Sequence, residues 1–458
     1  MSSTTLDSAF FKDLFGTDEM RHIFEERNLL QKWLDVEAAL ARVEARLGII
    51  PQEAADAISQ HAVAEEMSIE AIKEEMDVTH HPIVPFIREL QRHCPGDTGE
   101  YIHWGATTQD IIDTGMVLQL REAYRVLLRD MRRLEEVLMG LAERHRDTVM
   151  AGRTHGQQAL PVTFGYKVAV WVSEVRRHIE RLKQCRPRLL VGQFSGGAGT
   201  LASLGDQAWE VRRLLMEELG LGLPDITWHT ARDSLAEFVA LLGLITGTLA
   251  KMGHEVVLLQ KTEIAELEEL FGPGQVGSST MPQKRNPTGS EQLMALAKLV
   301  RGLVNAAMEG LLHEHERDSG SWHAEWHYIP EACIMTAGAI KGGTEVMGNL
   351  QVKSENMRRN LDISRGLVMS EPVMLRLARQ VGRQSAHDII YEAAMKAFEE
   401  GRPLKEVLLR SAQVTRHLSG AEIDLLLDPA GYVGLAPRFV DEVLAASRKA
   451  RAAEEATP

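Results

Sequence analysis

Hydrophobic residues recur at helical spacing over most of the chain. Residues 27–47 carry an apolar stripe in alternating steps of four and three, formed by Leu29, Trp33, Val36, Leu40, Val43 and Leu47. Such steps keep side chains on one face of an α-helix. The Asn-Gly and Asp-Gly pairs that signal β-hairpins between alternating apolar runs are missing. We therefore predict an all-α fold, which begins with a small helical domain over residues 1–105.

Longer helices are predicted in the middle of the chain. Residues 112–146 contain no proline, and their apolar stripe predicts a helix roughly 50 Å long at about 1.5 Å per residue. Further long helices are predicted at residues 161–184, with Pro161 in the first turn, and at 233–270, 288–316 and 330–350. Because such helices need apolar partners along their whole length, we predict a central bundle over residues 106–353 and association between subunits.

The pattern changes again near the C-terminus. Residues 354–458 contain shorter helical segments, separated at glycines such as Gly366, Gly382 and Gly401, and are predicted to form a third helical domain. The tail from residue 446 is rich in small and charged residues, and we expect it to fray.

Composition and charge narrow the class of protein. The net charge of −14 over 458 residues opposes nonspecific binding to nucleic acid, because no basic excess offsets phosphate repulsion. The three cysteines are widely spaced, which fits a reducing cytoplasm. The N-terminus lacks the basic and apolar segments of a signal peptide. The longest apolar run, residues 238–250, is too short to span a bilayer. We therefore expect a cytoplasmic protein with no membrane or nucleic-acid partner.

Reactive side chains are concentrated at three junctions between predicted helices. The first junction holds Thr107, Thr108 and Gln109 at the start of a long helix, where hydroxyl and backbone N–H groups can cradle a carboxylate or simply cap the helix. The second holds Thr154 and His155, and this histidine is either an acid–base group or a polar turn residue.

The third junction is the loop at residues 272–287. Its three glycines and two prolines surround a nucleophile, a cation and a carboxamide, namely Ser278, Lys284 and Asn286. A glycine-rich stretch of this kind is often only a flexible connector. The concentration of these three chemical groups in a mobile loop between rigid helices instead favours a catalytic lid.

Histidine-rich segments raise the alternative of a metal site. His323 and His327 are four residues apart, a spacing that can chelate zinc on one helix face. The HExxH pattern is missing, however, and no carboxylate or cysteine is clearly paired with these histidines. We therefore predict no metal site.

The three junctions resemble the signature regions of one enzyme family. Residues 277–287, Gly-Ser-Ser-Thr-Met-Pro-Gln-Lys-Arg-Asn-Pro, resemble the signature loop of the fumarase/aspartase superfamily. Residues 103–114, His-Trp-Gly-Ala-Thr-Thr-Gln-Asp-Ile-Ile-Asp-Thr, and residues 152–158, Gly-Arg-Thr-His-Gly-Gln-Gln, resemble its other two signature regions in the same order. The similarity extends from about residue 10 to about residue 440.

Within this superfamily two branches share features with the chain. The segments at 228–233, 313–326 and 418–429 resemble the 3-carboxy-cis,cis-muconate cycloisomerase branch. His81, His103 and His155 together resemble the histidines of adenylosuccinate lyases. Those lyases, however, carry an Arg-Tyr pair where this chain has Leu14 and Phe15.

The resemblance implies a fold, an assembly and a mechanism. It implies a three-domain all-α fold, a homotetramer whose active sites are shared between subunits, and a reaction without a cofactor. Ser278 would remove a proton next to a carboxylate, and His155, together with His103, would act as the acid. The groups that would bind the substrate are His81, His103, Thr107, Thr108, Gln109, Thr154, Lys284 and Asn286.

The substrate stays open among several small polycarboxylates. The cycloisomerase-like segments favour the lactonisation of 3-carboxy-cis,cis-muconate. His155, which stands where cycloisomerases often have an aromatic residue, favours a C–N lyase or epimerase acting on an N-substituted aspartate, with fumarate as product or intermediate. Adenylosuccinate ranks third, because Trp326 also replaces an arginine of the nucleotide-binding lyases. A helical scaffold without catalysis is disfavoured by the intact loop chemistry.

Overall fold

The computed structural model describes residues 3–272 and 274–455 and confirms that the chain is mostly helical. The α-helices of these residues are α1 (Lys12–Phe15), α2 (Asp18–Ile23), α3 (Glu26–Arg46), α4 (Gln52–His61), α5 (Ile69–Thr79), α6 (Ile83–His93), α7 (Thr108–Arg144), α8 (Phe164–Leu189), α9 (Ala208–Leu219), α10 (Asp233–Leu259), α11 (Thr288–Glu309), α12 (Ser319–Gly348), α13 (Ser354–Asp362), α14 (Ser370–Val381), α15 (Arg383–Glu400), α16 (Leu404–Arg410), α17 (Ala412–Thr415), α18 (Gly420–Leu426) and α19 (Ala436–Glu455). The strands are β1 (Val149–Thr154), β2 (Gln157–Thr163), β3 (Leu267–Glu268) and β4 (Gln351–Val352).

Two of the predicted helices agree closely with the structure. Helix α3 lies within one residue of the predicted range, and Val36, Leu40 and Val43 of its apolar stripe are buried. Helix α7 has 37 residues and matches the long proline-free segment. In both cases an uninterrupted apolar face of helical period is buried along the helix, which is what stabilises a long helix in a folded protein.

Other long helices begin or end away from the predicted bounds. Helix α10 ends at Leu259 rather than at residue 270, and α11 ends at Glu309 rather than at residue 316. Helix α12 begins at Ser319, so Pro330 lies inside it instead of opening it. Tyr328 and Glu325, in the turns before this proline, are buried, and their packing keeps those turns helical despite the missing N–H group.

The second junction forms a β-hairpin, which the sequence analysis did not predict. Strands β1 and β2 pair antiparallel, with Thr154 opposite Gln157. The two-residue turn between them has positive φ at both positions, 51° at His155 and 77° at Gly156. Such a turn matches the twist of the paired strands and usually contains Asn-Gly. Pro161 therefore lies in β2, opposite Ala151, and the prediction that it opens a helix is wrong.

The chain divides into two compact units. The first unit contains the residues up to Met131, together with His178–Gly247 and Ala295–Lys341. Its apolar core includes Leu34, Phe86 and Ile111. The second unit contains Arg132–Arg177, Thr248–Met294 and the residues from Gly342 onward. Its C-terminal helices surround a core of their own. The division at residues 105 and 353 into three domains stays a prediction.

The C-terminal tail is more ordered than expected. Helix α19 continues to Glu455, so the prediction that the chain frays from residue 446 is wrong for the described residues. Glu454 accepts hydrogen bonds from Arg176 at 2.6 Å and from Arg132 at 2.9 Å, and these ion pairs anchor the last helical turns. Residues 456–458 lie outside the described part of the chain.

One helix of the described residues, α10, is long and apolar enough to cross a membrane by length and composition alone. In this fold, 61% of its most apolar stretch is buried inside the molecule. A mostly buried helix of this composition is typical of a protein core.

Candidate functional site

Two of the predicted site residues, Thr107 and Thr108, lie at the N-terminus of α7 in the first unit. Thr107 directly precedes the helix, and its N–H donates to Asp110 Oδ2 at 3.0 Å, so Asp110 caps the helix. Thr108 Oγ1 lies 3.2 Å from His81 Nε2. His81 Nδ1 accepts from the N–H of Val84 at 3.3 Å. A neutral His81 therefore carries its proton on Nε2 and donates it to Thr108, a tautomer assigned from the hydrogen bonds.

Asp110 also binds the backbone of the segment at residues 195–196, next to the start of α7. Its carboxylate accepts from the backbone N–H groups of Ser195 at 3.0 Å and Gly196 at 2.9 Å. His229 Nε2 donates to the same carboxylate at 2.9 Å, and both side chains are buried. Three backbone N–H groups and the His229 imidazole thus donate to one buried carboxylate. These four hydrogen bonds hold the backbone around Thr107 in one arrangement.

The Gln109 side chain is fully buried. Its Nε2 donates to the carbonyl oxygen of His229 at 3.0 Å, and its Oε1 has no hydrogen-bond partner within residues 3–272 and 274–455. In this structure Gln109 connects α7 to the segment at His229, and its predicted role in substrate binding stays a prediction.

A cation that the sequence analysis did not name lies beside these hydroxyls. Arg317 Nη1 donates to Thr107 Oγ1 at 2.6 Å, and Nη2 donates to the carbonyl oxygen of Gly197. Arg317 lies in the segment at 313–326 that resembles the cycloisomerase branch, but that resemblance assigned it no role. Its guanidinium supplies the positive charge that a carboxylate cradle needs.

His103 is held by a buried carboxylate of α3. Its Nδ1 donates to Glu37 Oε1 at 2.6 Å, and its backbone N–H donates to Glu37 Oε2 at 3.1 Å. Burial disfavours the imidazolium, but the charge and hydrogen bond of Glu37 and the charge of Asp110 outweigh this and raise the pKa of His103. His103 is therefore better suited to bind an anion than a solvated histidine would be.

A buried ion network supports α7 one turn further along. Arg232 donates to both oxygens of Asp113, at 2.7 and 3.0 Å, and its Nε donates to Glu325 Oε1 at 2.8 Å. Its guanidinium also lies 4.7 Å from the ring centroid of Trp228. Trp322 Nε1 donates to Asp113 Oδ1 at 2.9 Å. Because these charges are buried, removing one partner would leave another uncompensated.

An apolar cavity of about 340 Å³ lies in the first unit between α3, α5, α7 and α12. Its lining includes Trp33, Ile72, Pro82, Ile112, Met116 and Trp326. Pro82 directly follows His81, and Ile112 is one helical turn after Thr108. The cavity wall therefore continues from the polar groups at the start of α7.

The signature loop belongs to the second unit. Ser278 Oγ accepts hydrogen bonds from the backbone N–H groups of Thr280 at 3.3 Å and Met281 at 3.1 Å. Asn286 Nδ2 donates to the carbonyl oxygen of Gly277 at 2.9 Å, which closes the loop on itself. A Cβ at Gly277 would overlap the carbonyl oxygen of Lys284, so this close return requires glycine.

The cation of the loop is exposed, and a neighbouring arginine anchors the loop. Lys284 is solvent-exposed, and no hydrogen bond joins it to Ser278 among the described residues. Arg285 donates to Glu268 Oε1 at 2.6 Å and lies 5.0 Å from the ring centroid of Phe271. A cavity of about 500 Å³ lies behind the loop and is lined by Glu268, Arg285 and Lys353, among others.

Thr154 and His155 lie at the exposed end of the hairpin, also in the second unit. Arg153 anchors this hairpin through two hydrogen bonds to the buried carboxylate of Glu266, at 2.9 and 2.6 Å. Asn360 Nδ2 donates to Glu266 Oε1 at 2.8 Å. The strands and this ion pair fix the base of the hairpin, while the imidazole of His155 remains accessible.

The predicted residues are thus divided between the two units. His81, His103, Thr107, Thr108 and Gln109 belong to the first unit, and Thr154, His155, Ser278, Lys284 and Asn286 belong to the second. Within residues 3–272 and 274–455, no group of three His, Cys, Asp or Glu side chains is placed to hold a metal ion. The prediction of a reaction without a cofactor is not tested by this observation.

Comparison with known proteins places these features in a family. The family profile described as "Lyase" matches residues 15–302, and the profile described as "Adenylosuccinate lyase C-terminus" matches residues 366–443. The chain is 44% identical over 444 residues to an N-acetyl-S-(2-succino)cysteine lyase of Dickeya dadantii, covering 97% of the chain and 98% of the relative. It is 46% identical over 438 residues to a 3-carboxy-cis,cis-muconate cycloisomerase of Pseudomonas aeruginosa, covering 95% of each.

A solved structure agrees with these relatives. The 3-carboxy-cis,cis-muconate lactonizing enzyme from Pseudomonas putida superimposes with a TM-score of 0.91 at 40% identity, over 96% of this chain and 99% of that chain. Relatives with different named activities thus match nearly the whole length at similar identity. The chain is an enzyme that belongs to the fumarase/aspartase superfamily of lyases.

Proposed function

We propose that this enzyme catalyses β-elimination or its reverse, addition, on a small polycarboxylate, with Ser278 as the base. The observation that carries this proposal is the pair of backbone N–H groups that donate to Ser278 Oγ. A serine hydroxyl is a weak base unless its oxyanion is stabilised. Fixed N–H donors stabilise that oxyanion without any rearrangement during the reaction.

In the proposed elimination, Ser278 removes a proton from the carbon next to a carboxylate. The electron pair of that C–H bond forms a C=C bond, the bond to the leaving heteroatom breaks, and His155 protonates the heteroatom. The intermediate carries two negative charges on one carboxylate, so its stability depends on nearby donors and cations. Lys284, Asn286, Thr107, Thr108 and Thr154 are the proposed donors. No cofactor takes part in these steps.

The leading substrate is 3-carboxy-cis,cis-muconate, on which the reaction runs as an addition. An internal carboxylate oxygen bonds to one carbon of a double bond, the C=C electron pair moves to the carbon next to another carboxylate, and the Ser278 hydroxyl protonates that carbon to give the lactone. The cycloisomerase of Pseudomonas aeruginosa and the lactonizing enzyme of Pseudomonas putida support this choice. The segment containing His229 and Arg232, which resembles that branch, forms the buried network around the start of α7.

The second candidate is elimination from an S- or N-substituted succinate, with fumarate as product or intermediate. The exposed His155 favours it, because a C–S or C–N bond needs a proton donor for its leaving atom. The relative from Dickeya dadantii is named for a succinyl thioether of this kind. Adenylosuccinate ranks behind both, since Trp326 lines an apolar cavity and Leu14 and Phe15 stand where adenylosuccinate lyases carry an Arg-Tyr pair.

The proposed assembly is a homotetramer whose active sites combine residues from several subunits. Large apolar side chains remain exposed on the long helices, with Val170, Leu244 and Leu299 each at least 45% exposed. Exposed apolar surface of this kind is typical of subunit interfaces. The catalytic residue His155 also lies on a solvent-exposed turn, where another subunit could complete its surroundings.

Ultraviolet absorbance distinguishes the two leading substrates. The purified enzyme would be mixed with 3-carboxy-cis,cis-muconate and, separately, with N-acetyl-S-(2-succino)cysteine and N-succinyl amines. Lactonisation shortens the conjugated system, so muconate absorbance falls, whereas elimination produces fumarate, so absorbance rises. The proposal expects one of these changes. The absence of any absorbance change across the panel, with a folded enzyme, would contradict it.

A further inference from the structure

We propose that Glu37 is a positioning residue that holds His103 as a cation, so that His103 Nε2–H binds a carboxylate of the substrate. This inference rests on the proposed function for the identity of the ligand, but its geometry is independent of it. Glu37 is no part of the signature regions and lies 66 residues before His103 in the chain.

The contact is made through both oxygens of Glu37. One oxygen accepts from the imidazole Nδ1–H at 2.6 Å, and the other accepts from the His103 backbone N–H at 3.1 Å. The second bond fixes the main chain in the left-handed region, at φ 66°, which a residue with a side chain rarely adopts. Glu37 therefore determines both the position of the imidazole ring and which of its two nitrogens is left for a ligand. With Nδ1 bound to Glu37, Nε2 is the atom left to meet a ligand.

Burial makes this carboxylate a strong partner. Glu37 is 1% exposed, so water cannot solvate its charge, and the imidazolium of His103 is its direct counterion. The His103 side chain keeps 17% of its surface exposed. One end of the pair is thus sealed in the core, while the other end reaches solvent.

Titratable and charged groups near Glu37 and His103 lie on α3, on α7 and at Arg317. Glu44 lies two turns after Glu37 on α3, and burial together with the charge of Glu37 raises the pKa of Glu44 to about 9. Glu44 is therefore neutral near pH 7 and adds no negative charge beside Glu37. On α7, the charge of Asp110 also favours the imidazolium. The cation of Arg317 contacts Thr107 nearby.

This arrangement predicts how anion binding depends on pH. A raised histidine pKa means that the cation is present below that pKa and is lost as the pH rises through it. Carboxylate binding should therefore weaken on the alkaline side in the wild-type enzyme. In Glu37→Gln, the uncharged amide no longer supports the imidazolium, so the same loss should begin at lower pH.

The experiment measures the binding of fumarate, as a dicarboxylate probe, by calorimetry between pH 6 and 9 on the full-length protein. We expect Glu37→Gln to bind fumarate about tenfold more weakly near neutral pH, the factor that about 1.4 kcal/mol represents, and to shift the pH midpoint downward. His103→Gln should abolish the pH dependence. Glu44→Gln, a buried change on the same helix without a contact to His103, should leave the midpoint unchanged.

The outcomes separate this inference from the proposed function. If the wild-type enzyme turns over a substrate of the panel but Glu37→Gln leaves the pH midpoint unchanged, the pairing is wrong and the proposed function stands. If fumarate binding shows the expected shift but no substrate is turned over, the pairing stands and the proposed function fails. Should Glu37→Gln not fold, the inference is decided by His103→Gln, whose unchanged pH dependence would overturn it.

Discussion

At the scale of single residues, the chemistry depends on how each polar atom is held. Ser278 receives two backbone N–H groups, Thr107 receives a guanidinium, and His103 receives a buried carboxylate. None of these side chains is unusual by itself. Their neighbours change what each can do, since fixed donors and charges shift the balance between protonated and ionised forms.

Ser278→Ala should reduce kcat by about a thousandfold while the fold remains intact, because it removes the proposed general base. Turnover would be measured with the substrate identified by absorbance, and fumarate binding would be measured by calorimetry. Ser279→Ala is the matched control, since the neighbouring hydroxyl receives no comparable pair of N–H donors, and it should retain most activity. Near-normal turnover by Ser278→Ala would remove Ser278 from the role of base.

The buried carboxyl of Glu44 should make stability depend on pH. Neither of its oxygens has a hydrogen-bond partner among the residues that the structure describes, and its pKa is raised to about 9. Between about pH 4.5 and 9 the unfolded chain loses this proton while the folded protein keeps it, so the free energy of unfolding falls by up to about 1.4 kcal/mol per pH unit.

Glu44→Gln removes this titration without removing the polar group. Its advantage over the wild type in thermal unfolding should therefore grow from pH 5 to pH 8. The exposed Glu53→Gln serves as the control and should show no such trend. A constant difference between Glu44→Gln and the wild type across this range would show that Glu44 is not protonated in the fold.

At the scale of elements, the two short segments that carry the proposed catalytic groups of the second unit are each anchored at their base. The hairpin bearing His155 is anchored by the ion pair of Arg153 and Glu266. The signature loop returns on itself where Gly277 packs against the backbone at Lys284. His155 is exposed and Ser278 is half-buried, while the base of each segment is fixed.

Gly277→Ala should abolish most activity with little effect on global stability. The new methyl group would overlap the carbonyl oxygen of Lys284, so the loop would have to move, and an exposed loop contributes little to the free energy of unfolding. Gly272→Ala is a matched control in the same loop, because the nearest atom to its Cβ would lie at 3.9 Å. Turnover and thermal unfolding would be measured for both. Equal activity of the two variants would contradict the predicted loop geometry.

At the scale of the whole molecule, the proposed sharing of active sites between subunits can be tested by mixing inactive variants. Ser278→Ala and His155→Asn would each be inactive alone. Co-assembled subunits would place an intact Ser278 and an intact His155 in some shared sites, which should restore up to about a quarter of wild-type activity. The measurement is turnover after the two variants, carrying different tags, are unfolded and refolded together. Activity that stays at the level of the separate variants would indicate that each site is built within one chain.

Local patterns in the sequence were sufficient for the bounds of some helices and for the family of the enzyme, but not for the bounds of α10, α11 and α12. The bounds of α3 and the extent of α7 follow from an apolar period that each helix carries in its own residues. The signature loop was recognisable because its functional groups are adjacent in the chain. The hairpin at His155 was missed because its His-Gly turn differs from the usual Asn-Gly, and strand pairing depends on two segments at once.

What the sequence determined by itself was therefore the helical class and the family. Only the tertiary structure decided which distant groups meet. Arg317 reaches Thr107 across 210 residues, His229 reaches Asp110 across 119, and Glu37 reaches His103 across 66. Helical periodicity is local, because each turn involves neighbouring residues. The partner of a buried charge is not local, because it is set by the path of the folded chain and by the cost of leaving that charge unpaired.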